Sequence, residues 1–353
     1  MRRFPSLLIV IALLTGCADL GYYAQAVNGQ LWVLSARKPV QALIDDPATS
    51  SARRARLRTA LAARSFASTE LGLPDNDSYR VFSDLKRSYV VWNVVATPPL
   101  SLSPRQSCFP ITGCLSYLGW FSRERAEAYA DARRAAGDDV FSGPVDAYST
   151  LGWFDDPLLN TMLAWDEADM VAIVFHELAH QRVYIADDSA FNESYATTVE
   201  RVGMRRWLSV KDPEAYRNWR DSKRRDARVR ALLRETRDAL HRVYTSSLDR
   251  SAKQVAKRDL LDQARARYRG LRGEPGWDRR YDAWFGERLN NALLAVIDTY
   301  HRWVPAFEAM LRAGNDDFEA FHAEVARIGR LDKTEREAIL EHYLSRAPSS
   351  EER

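Results

Sequence analysis

Residues 169–200 read DMVAIVFHELAHQRVYIADDSAFNESYATTVE, and this stretch decides how the middle of the chain folds. Apolar residues recur at helical spacing from Val171 to Val183, which predicts a helix that carries the motif HExxH. A short loop at Asp187 and Asp188 follows, and the segment FNESYATTVE after it predicts a second helix. The loop is long enough for the second helix to fold back against the first.

The first of these helices carries two histidines and a glutamate in the arrangement of a metal site. His176 and His180 are four residues apart, so both imidazoles lie on one face and can bind the same ion. Glu177 lies beside that face, where it can accept a proton from a metal-bound water that attacks a carbonyl. A bare HExxH occurs by chance in roughly 1% of chains of this length, so the interpretation needs further residues.

The second helix supplies those further residues. A catalytic zinc ion usually has three protein ligands and one position for water, and Glu193 can reach the metal as the third ligand. Glu200 is two turns further along the same face, where it could orient a histidine or simply face solvent. The stretch therefore predicts one Zn²⁺ ion per chain, held by His176, His180 and Glu193.

The N-terminus has the features of an export signal. Arg2 and Arg3 precede eight apolar residues, Leu7 to Leu14, which are too few to cross a bilayer as a helix. A basic start followed by a short apolar run is typical of a signal peptide that is removed after export.

The end of the apolar run looks like the lipobox of bacterial lipoproteins. It reads Leu14-Thr15-Gly16-Cys17, so we expect residues 1–16 to be removed and Cys17 to carry lipid. An ordinary signal peptide that contains a cysteine is the alternative. Ala18 rather than aspartate follows the cysteine, which favours an outer-membrane anchor facing the periplasm. Asp19 keeps anchoring in the inner membrane as an alternative.

Removal of the signal peptide would leave a nearly neutral chain with two cysteines. Without residues 1–16, which hold two of the 51 basic residues, 49 remain against 48 acidic ones, and this balance does not favour nucleic acid as a partner. Cys108 and Cys114 lie in CFPITGC, where an oxidising compartment favours a disulfide. A two-cysteine metal site is the alternative, but no histidine lies nearby.

The rest of the chain divides into a mixed half and a helical half. Residues 22–66 predict two helices, and YRVFSDLKRSYVVWNVVATPPLSL, residues 79–102, predicts two strands ended by two prolines. Beyond Gly203 the pattern is helical. The predicted helices there are an antiparallel pair at 213–244 and 252–269, followed by helices at 281–312, 317–328 and 333–345.

HELAH followed by FNESYATTVE resembles the gluzincins, zinc peptidases with an HExxH helix and a glutamate ligand on the next helix. The second block is similar to the NEGFA-type segment of aminopeptidase-N-like enzymes. The whole chain also looks like a bacterial lipoprotein family labelled "putative aminopeptidases". The resemblance implies a zincin-like fold, zinc ligands at His176, His180 and Glu193, Glu177 as general base, and a peptide substrate.

Two departures bear on the type of peptidase. The gap of 12 residues between His180 and Glu193 is shorter than in aminopeptidase-N-like enzymes. Their GAMEN-type segment, whose glutamate holds the free amine of the substrate, has no match in this sequence. The first interpretation is an aminopeptidase, and an endopeptidase with the same site stays open. A non-catalytic envelope lipoprotein braced by zinc is the other alternative, although such a protein has no use for Glu177.

Amide hydrolysis also needs a hydrogen-bond donor for the developing oxyanion. In NNALLAVIDTYHRW, residues 290–303, Tyr300 and His301 are the candidates; the alternative is that both pack in a core. A predicted strand at 145–154 could pair with an extended peptide, and its Gly152 would permit close approach. The three histidines on basic helical faces are expected to be bystanders: His241, His322 and His342.

These features predict an α+β protein that is mostly helical and, by the resemblance, zincin-like. Residues 1–16 form the lipoprotein signal peptide. Residues 17–204 form the zincin-like α/β catalytic half, with a small β-sheet and the HExxH helix. Residues 205–353 form an all-helical half, with a helical pair over 213–270 and further helices over 281–345. Protein partners are unknown from the sequence.

Overall fold

The computed structural model describes most of the chain and shows a mostly helical α+β protein with small sheets, as predicted. The described residues are 21–109, 113–146, 150, 154–186, 188–277, 279–297 and 303–346. The predicted signal peptide at 1–16 lies outside them, as do the singled-out residues Cys17, Ala18, Asp19, Gly152, Asp187, Tyr300 and His301. No helix among the described residues combines the length and the apolar character needed to cross a membrane.

The helices alternate with short strands in the first half and follow one another in the second. The helices are α1 (21–35), α2 (Val40–Asp45), α3 (Ser51–Leu71), α4 (Arg123–Ala135), α5 (Glu167–Arg182), α6 (Ser189–Lys211), α7 (Pro213–Thr245), α8 (Arg250–Arg272), α9 (Asp282–Phe285), α10 (Asn291–Ile297), α11 (Val304–Ala313), α12 (Phe318–Gly329) and α13 (Lys333–Leu344). The strands are β1 (Arg37–Pro39), β2 (Val81–Ser83), β3 (Val91–Thr97), β4 (Ser107–Phe109), β5 (Gly113–Leu115), β6 (Leu118–Trp120), β7 (Asp139–Val145) and β8 (Leu158–Leu159).

The strands form three small sheets. One has the order β1-β2-β8, with β2 and β8 parallel, and a second has the order β6-β3-β7, with both pairings antiparallel. The two strands predicted within residues 79–102 are β2 and β3, and β3 ends directly before the two prolines. The third sheet is the hairpin β4-β5, where Cys108 and Cys114 lie opposite each other and are joined by a disulfide.

Helix α5 lies in the main apolar core and is buried along most of its length. Its aromatic Phe175 is fully buried and packs against Phe66 of α3 and Trp207 of α6. Acidic residues occupy its first turn and Arg182 its last turn, which matches the helix dipole at both ends. The core around α5 also takes in side chains from α3, α6, α11, α12 and α13. The HExxH segment is therefore held on a rigid element.

Helices α7 and α8 form an antiparallel pair around a second apolar core. Their direction follows from cross-contacts, since Glu235 pairs with Arg267 and the backbone oxygen of Tyr244 accepts from Lys253. The predicted pair at 213–244 and 252–269 matches these helices closely.

The predicted helix at 281–312 is instead three shorter helices, α9, α10 and α11. Gly286 ends α9, and Pro305 lies in the first turn of α11. A proline is tolerated there because its missing N–H would have no helical partner, whereas in a helix interior it would remove a hydrogen bond. Residues 22–66 likewise fall in three helices rather than two.

Candidate metal centre

The loop between α5 and α6 fixes how the two helices face each other. The side chain of Asn192 accepts a hydrogen bond from the Ile185 N–H at 2.8 Å and donates one to the Ile185 carbonyl at 2.7 Å. Asp188 caps α6 by accepting from the Phe191 N–H and also pairs with the buried guanidinium of Arg336 at 2.9 Å. These contacts lock the first turn of α6, which carries the candidate ligand.

Three side chains from the two helices converge at one point. The Nε2 atom of His176 lies 3.3 Å from Oε2 of Glu193, and the Nε2 atom of His180 lies 3.7 Å from Oε1 of the same carboxylate. One ligand atom from each residue lies within 4.8 Å of the other two. Zinc bonds of about 2.1 Å at tetrahedral angles separate donor atoms by about 3.4 Å. The spacing and the donor types therefore fit a zinc ion.

Glu200 faces inward and contacts the opposite nitrogen of the His176 ring. Its Oε2 atom lies 3.2 Å from Nδ1 of His176, and its Oε1 atom lies 3.7 Å from Nζ of Lys223 on α7. Lys223 also lies 3.1 Å from Oδ1 of Asp169 on α5. Since a carboxylate only accepts, the Nδ1–H of His176 donates to Glu200 and leaves Nε2 toward Glu193. Of the two roles left open for Glu200, the geometry matches the orienting one.

The second histidine has no such orienting partner among the described residues. The Nδ1 atom of His180 is buried and makes no hydrogen bond within that part of the chain. The ring is held instead by packing, with its centroid 4.9 Å from that of His176 and 6.4 Å from that of Tyr184.

The carboxylates of Glu193 and Glu200 favour the protonated form of the His176 ring. Burial lowers the pKa of His176, but hydrogen bonds with Glu193 and Glu200 outweigh burial and raise that pKa to about 10. Burial raises the pKa of Glu193, yet His176 and His180 lower it to about 2. The pKa of Glu200 also falls to about 2 against burial, because Lys223 and His176 lie beside it. Two ionised carboxylates therefore surround the histidine pair.

Glu177 lies on the same helix face as the site but outside the ligand cluster. Its side chain is partly exposed, and none of the described residues donates a hydrogen bond to its carboxylate. Burial raises its pKa, as do the nearby carboxylates of Glu193 and Asp156, while His176 and His180 oppose that rise. A carboxylate with a raised pKa and no fixed donor is suited to take up a proton.

Two exposed tyrosines flank the centre. Tyr117 and Tyr184 are about half exposed, at 52% and 49%. Tyr184 is the ring next to His180, and the pKa of Tyr117 is raised by partial burial and by the neighbouring Tyr184 and Glu193. The exposed side of the cluster is therefore partly aromatic.

Most of the other predicted residues lie outside the described part of the chain. Tyr300 and His301, the oxyanion candidates, lie outside the described residues, as do Gly152 and the lipobox cysteine. Of the predicted strand at 145–154, Val145 belongs to β7 and most of the remainder is not described. The disulfide-bonded Cys108 and Cys114 are exposed.

The sequence suggested that His322 lies on a basic helical face, but the structure buries its side chain. It is 1% exposed, and its ring bonds the Tyr195 hydroxyl and the Leu71 carbonyl. It remains outside the metal cluster. Sequence reasoning also missed Lys223, since nothing distinguishes it from the many exposed basic residues of α7.

The fold and the site define a mostly helical α+β protein with a His-His-Glu cluster and a free carboxylate beside it. A family model described as "Putative aminopeptidase" matches residues 21–340. The chain therefore belongs to this family, as the sequence resemblance suggested. No curated protein and no solved structure matches the chain.

Proposed function

We propose that this protein is a zinc metallopeptidase that hydrolyses peptide bonds, with aminopeptidase action as the first candidate. The observation that carries the proposal is the convergence of His176, His180 and Glu193 with Glu177 beside them. The family description supports peptidase activity in general. Its zinc dependence, its gluzincin-type site and a zincin-like fold belong to the proposal.

The ligand set fits zinc in number and in kind. Two imidazoles and one carboxylate make a three-ligand site, and none of the described residues adds a fourth histidine, cysteine or acidic ligand to the group. When bound there, zinc supplies Lewis acidity, which polarises a carbonyl and lowers the pKa of a bound water. Glu193 and the two histidines would hold one such ion per chain.

Glu177 is the proposed general base. Its carboxylate accepts a proton from the attacking water and later passes that proton to the leaving amine. Burial and neighbouring carboxylates raise its pKa, which makes the protonated form accessible during the reaction. Because its carboxylate is not tied to a donor among the described residues, it is free to exchange a proton.

Glu200 and Lys223 orient the first ligand. The Nδ1–H of His176 donates to Glu200, which fixes the tautomer and presents Nε2 to the metal position. Lys223 compensates the charge of this buried carboxylate and also pairs with Asp169. Tyr300 and His301 remain the proposed donors for the oxyanion.

We also propose that the protein acts in the cell envelope. The lipobox at Cys17 would anchor it by lipid, and the residue after the cysteine favours the outer membrane with the protein facing the periplasm. The Cys108–Cys114 disulfide supports an oxidising compartment. Peptides are the expected substrates, and nucleic acid is not an expected partner.

The test measures bound zinc per chain and the cleavage of two reporter types, free-amine aminoacyl reporters and N-blocked peptides. We expect one zinc per chain and cleavage that Glu177→Gln lowers about 100- to 10,000-fold with zinc retained. Glu235→Gln, an exposed glutamate on α7, is the matched control and should keep full activity. Equal inertness of the wild type and Glu177→Gln with zinc bound would favour the zinc-braced, non-catalytic alternative. Cleavage of blocked peptides only would identify an endopeptidase.

A further inference from the structure

Helix α1 turns an apolar stripe away from the protein. Val27 and Leu31 are the two most exposed large apolar side chains among the described residues, at 56% and 58%, and the neighbouring Trp32 is 40% exposed. Exposed positions on α1 follow the period of a helix and so share one face, the outer stripe: Ala24, Val27, Asn28, Leu31 and Ser35.

The helix contains no charged residue, although 28% of the whole chain is charged. A surface helix normally carries charged and polar side chains on its outer face, as α8 does with the exposed Arg258 and Asp259. An exposed apolar patch that lacks charge is typical of a surface that contacts another protein or a membrane.

The inner face of α1 fixes the direction of the outer stripe. The side chain of Gln25 accepts from the Phe121 N–H at 3.0 Å and donates to the Gly119 carbonyl at 3.2 Å. The Tyr22 hydroxyl accepts from the Gly119 N–H at 3.3 Å. Gly29 packs against the Phe121 ring, where a larger residue would overlap with it. The helix is therefore held against β6 with the outer stripe facing away.

The position of α1 in the chain favours a membrane as the occupant of this surface. Cys17, the proposed lipid-bearing residue, comes four residues before Gly21, where α1 begins. Four residues span at most about 14 Å, so a lipid on Cys17 would keep α1 next to the bilayer. Tryptophan is also enriched at membrane–water interfaces, and Trp32 lies beside the outer stripe.

We infer that the outer stripe of α1 lies on the surface of the membrane that anchors the protein, with Val27 and Leu31 at the boundary between the headgroups and the acyl chains. Helices that lie in this plane bury their apolar face about 5–10 Å deep. The inference rests on the proposed lipid anchor and goes beyond it. A lipid alone tethers the protein, whereas a second contact through α1 gives it one orientation on the membrane.

The first test uses the lipidated full chain on vesicles of phosphatidylethanolamine and phosphatidylglycerol with brominated acyl chains. A fluorophore is attached at Asn28→Cys in the outer stripe, and Val255→Cys on α8, where the valine is 44% exposed, is the matched control. We expect bromines near the headgroup end to quench the label at position 28 more than deep bromines do, because the stripe lies at a shallow depth. The label at position 255 should keep its fluorescence. Vesicle-bound protein without quenching at position 28 would overturn the inference.

A polar variant of the outer stripe tests whether its apolar side chains make the contact. Val27→Gln combined with Leu31→Gln should abolish quenching of the label at position 28, while the lipid still holds the protein on the vesicles. Leu248→Gln combined with Val255→Gln changes two other exposed apolar residues and should leave the quenching intact. Full quenching in the Val27→Gln, Leu31→Gln variant would reject the outer stripe as the contact.

Sedimentation with vesicles and the mass of the N-terminal peptide separate this inference from the proposed anchor. Lipidated protein that sediments but shows no quenching at position 28 would keep the anchor and reject the surface. Quenching at position 28 in a chain whose mass shows no lipid would uphold the surface and reject the lipobox. Protein that neither carries lipid nor sediments would reject both.

A second copy of this chain is the other occupant that the test can identify. Without vesicles, the emission of the label at position 28 should not change with protein concentration. An emission shift that grows with concentration, together with the absence of quenching on vesicles, would identify an interface between copies and overturn the inference.

Discussion

The α5–α6 pair and the α7–α8 pair are both antiparallel and rich in charge, but they place that charge on opposite sides. In α7–α8, apolar side chains fill the interface, and ion pairs such as Glu235–Arg267 lie outside with both partners 58% exposed. In α5–α6, charged groups point inward. Glu193 is 23% exposed and Glu200 15%.

This difference shows how a charged helix pair becomes a site. An exposed ion pair is solvated whether or not its partner is present, so it contributes little to stability. A carboxylate inside a helix pair loses its water and requires a fixed cation or donor. In α5–α6 that requirement is met by two histidines and Lys223, and the proposed zinc ion would add a further positive charge beside Glu193.

The largest expected effect comes from neutralising Glu193, the proposed third zinc ligand. Glu193→Gln keeps the size of the side chain but removes the charge that faces both histidines. We expect zinc affinity to fall by more than about 100-fold, beyond the range for residues that only orient a ligand, and activity to be lost with it. Titration with zinc in the presence of a competing chelator measures the affinity.

Glu235→Gln is the control for that variant, since it makes the same chemical change in the α7–α8 pair. It should bind zinc as the wild type does. If the two variants lost zinc affinity equally, the contrast between the inward and the outward carboxylate would be wrong.

His322 sharpens the comparison, because it is a buried histidine whose ring bonds a hydroxyl and a backbone carbonyl rather than a carboxylate. Its Nε2–H donates to the Leu71 carbonyl at 2.7 Å, and its Nδ1 accepts from the Tyr195 hydroxyl at 2.9 Å. Burial lowers its pKa from 6.5 to about 4, and the bond to Leu71 only partly opposes this. Burial thus outweighs the nearby charge of Glu319 and lowers the pKa of His322, whereas the hydrogen bonds with Glu193 and Glu200 raise the pKa of His176.

The pH dependence of stability follows from that shift. Above pH 6.5 the ring is neutral in both states, so it adds no pH dependence. Between pH 6.5 and 4 the unfolded chain takes up a proton that the folded protein does not, so stability falls by about 3 kcal/mol as the pH drops. Below about pH 4 both states are protonated, and this loss is complete.

Urea unfolding from pH 7 to pH 4 checks the His322 prediction. His322→Gln should be less stable than the wild type at pH 7 but should lose about 3 kcal/mol less over the same range. The exposed His342 on α13 offers a control, and His342→Gln should follow the wild-type curve. Parallel curves for the wild type and His322→Gln would show that the ring is not held neutral.

A smaller effect is expected at Glu200, one layer behind the ligands. Glu200→Gln keeps a hydrogen-bond acceptor for His176 but removes the charge that Lys223 balances. Residues that orient a metal ligand typically contribute 10- to 100-fold in affinity, so zinc affinity should fall by about that factor. The same chelator titration measures it, and an unchanged affinity would mean that Glu200 is only a structural partner of Lys223.

The local part of this site could be predicted from the sequence, because helix geometry alone brings residues four apart together. His176, His180 and the inward side of α6 follow from spacing and a short loop. His322 was missed, although Phe318, His322 and Val325 lie on one buried stripe that places the ring in the core. Its charge-rich surroundings in the sequence hid that pattern.

The remote part of the site could not be predicted. Lys223 comes 23 residues after Glu200 and lies on another helix. Its position depends on how α7 packs beside α6. That contact does not follow from spacing along one helix.

The smallest expected effect concerns the exposed ion pair of α7–α8. The Nη2 atom of Arg267 lies 2.6 Å from Oε2 of Glu235, yet both side chains are mostly exposed. Water and salt therefore screen the ion pair, and water competes for its hydrogen bonds. A double-mutant cycle with Glu235→Gln and Arg267→Gln should give a coupling energy below about 1 kcal/mol, and one that shrinks further at high salt. The measurement is urea unfolding at low and high salt. A coupling of several kcal/mol that resists salt would mean that the outer face of this pair is shielded from water by something bound to it. The α7–α8 charges would then be a binding surface rather than a solvated one.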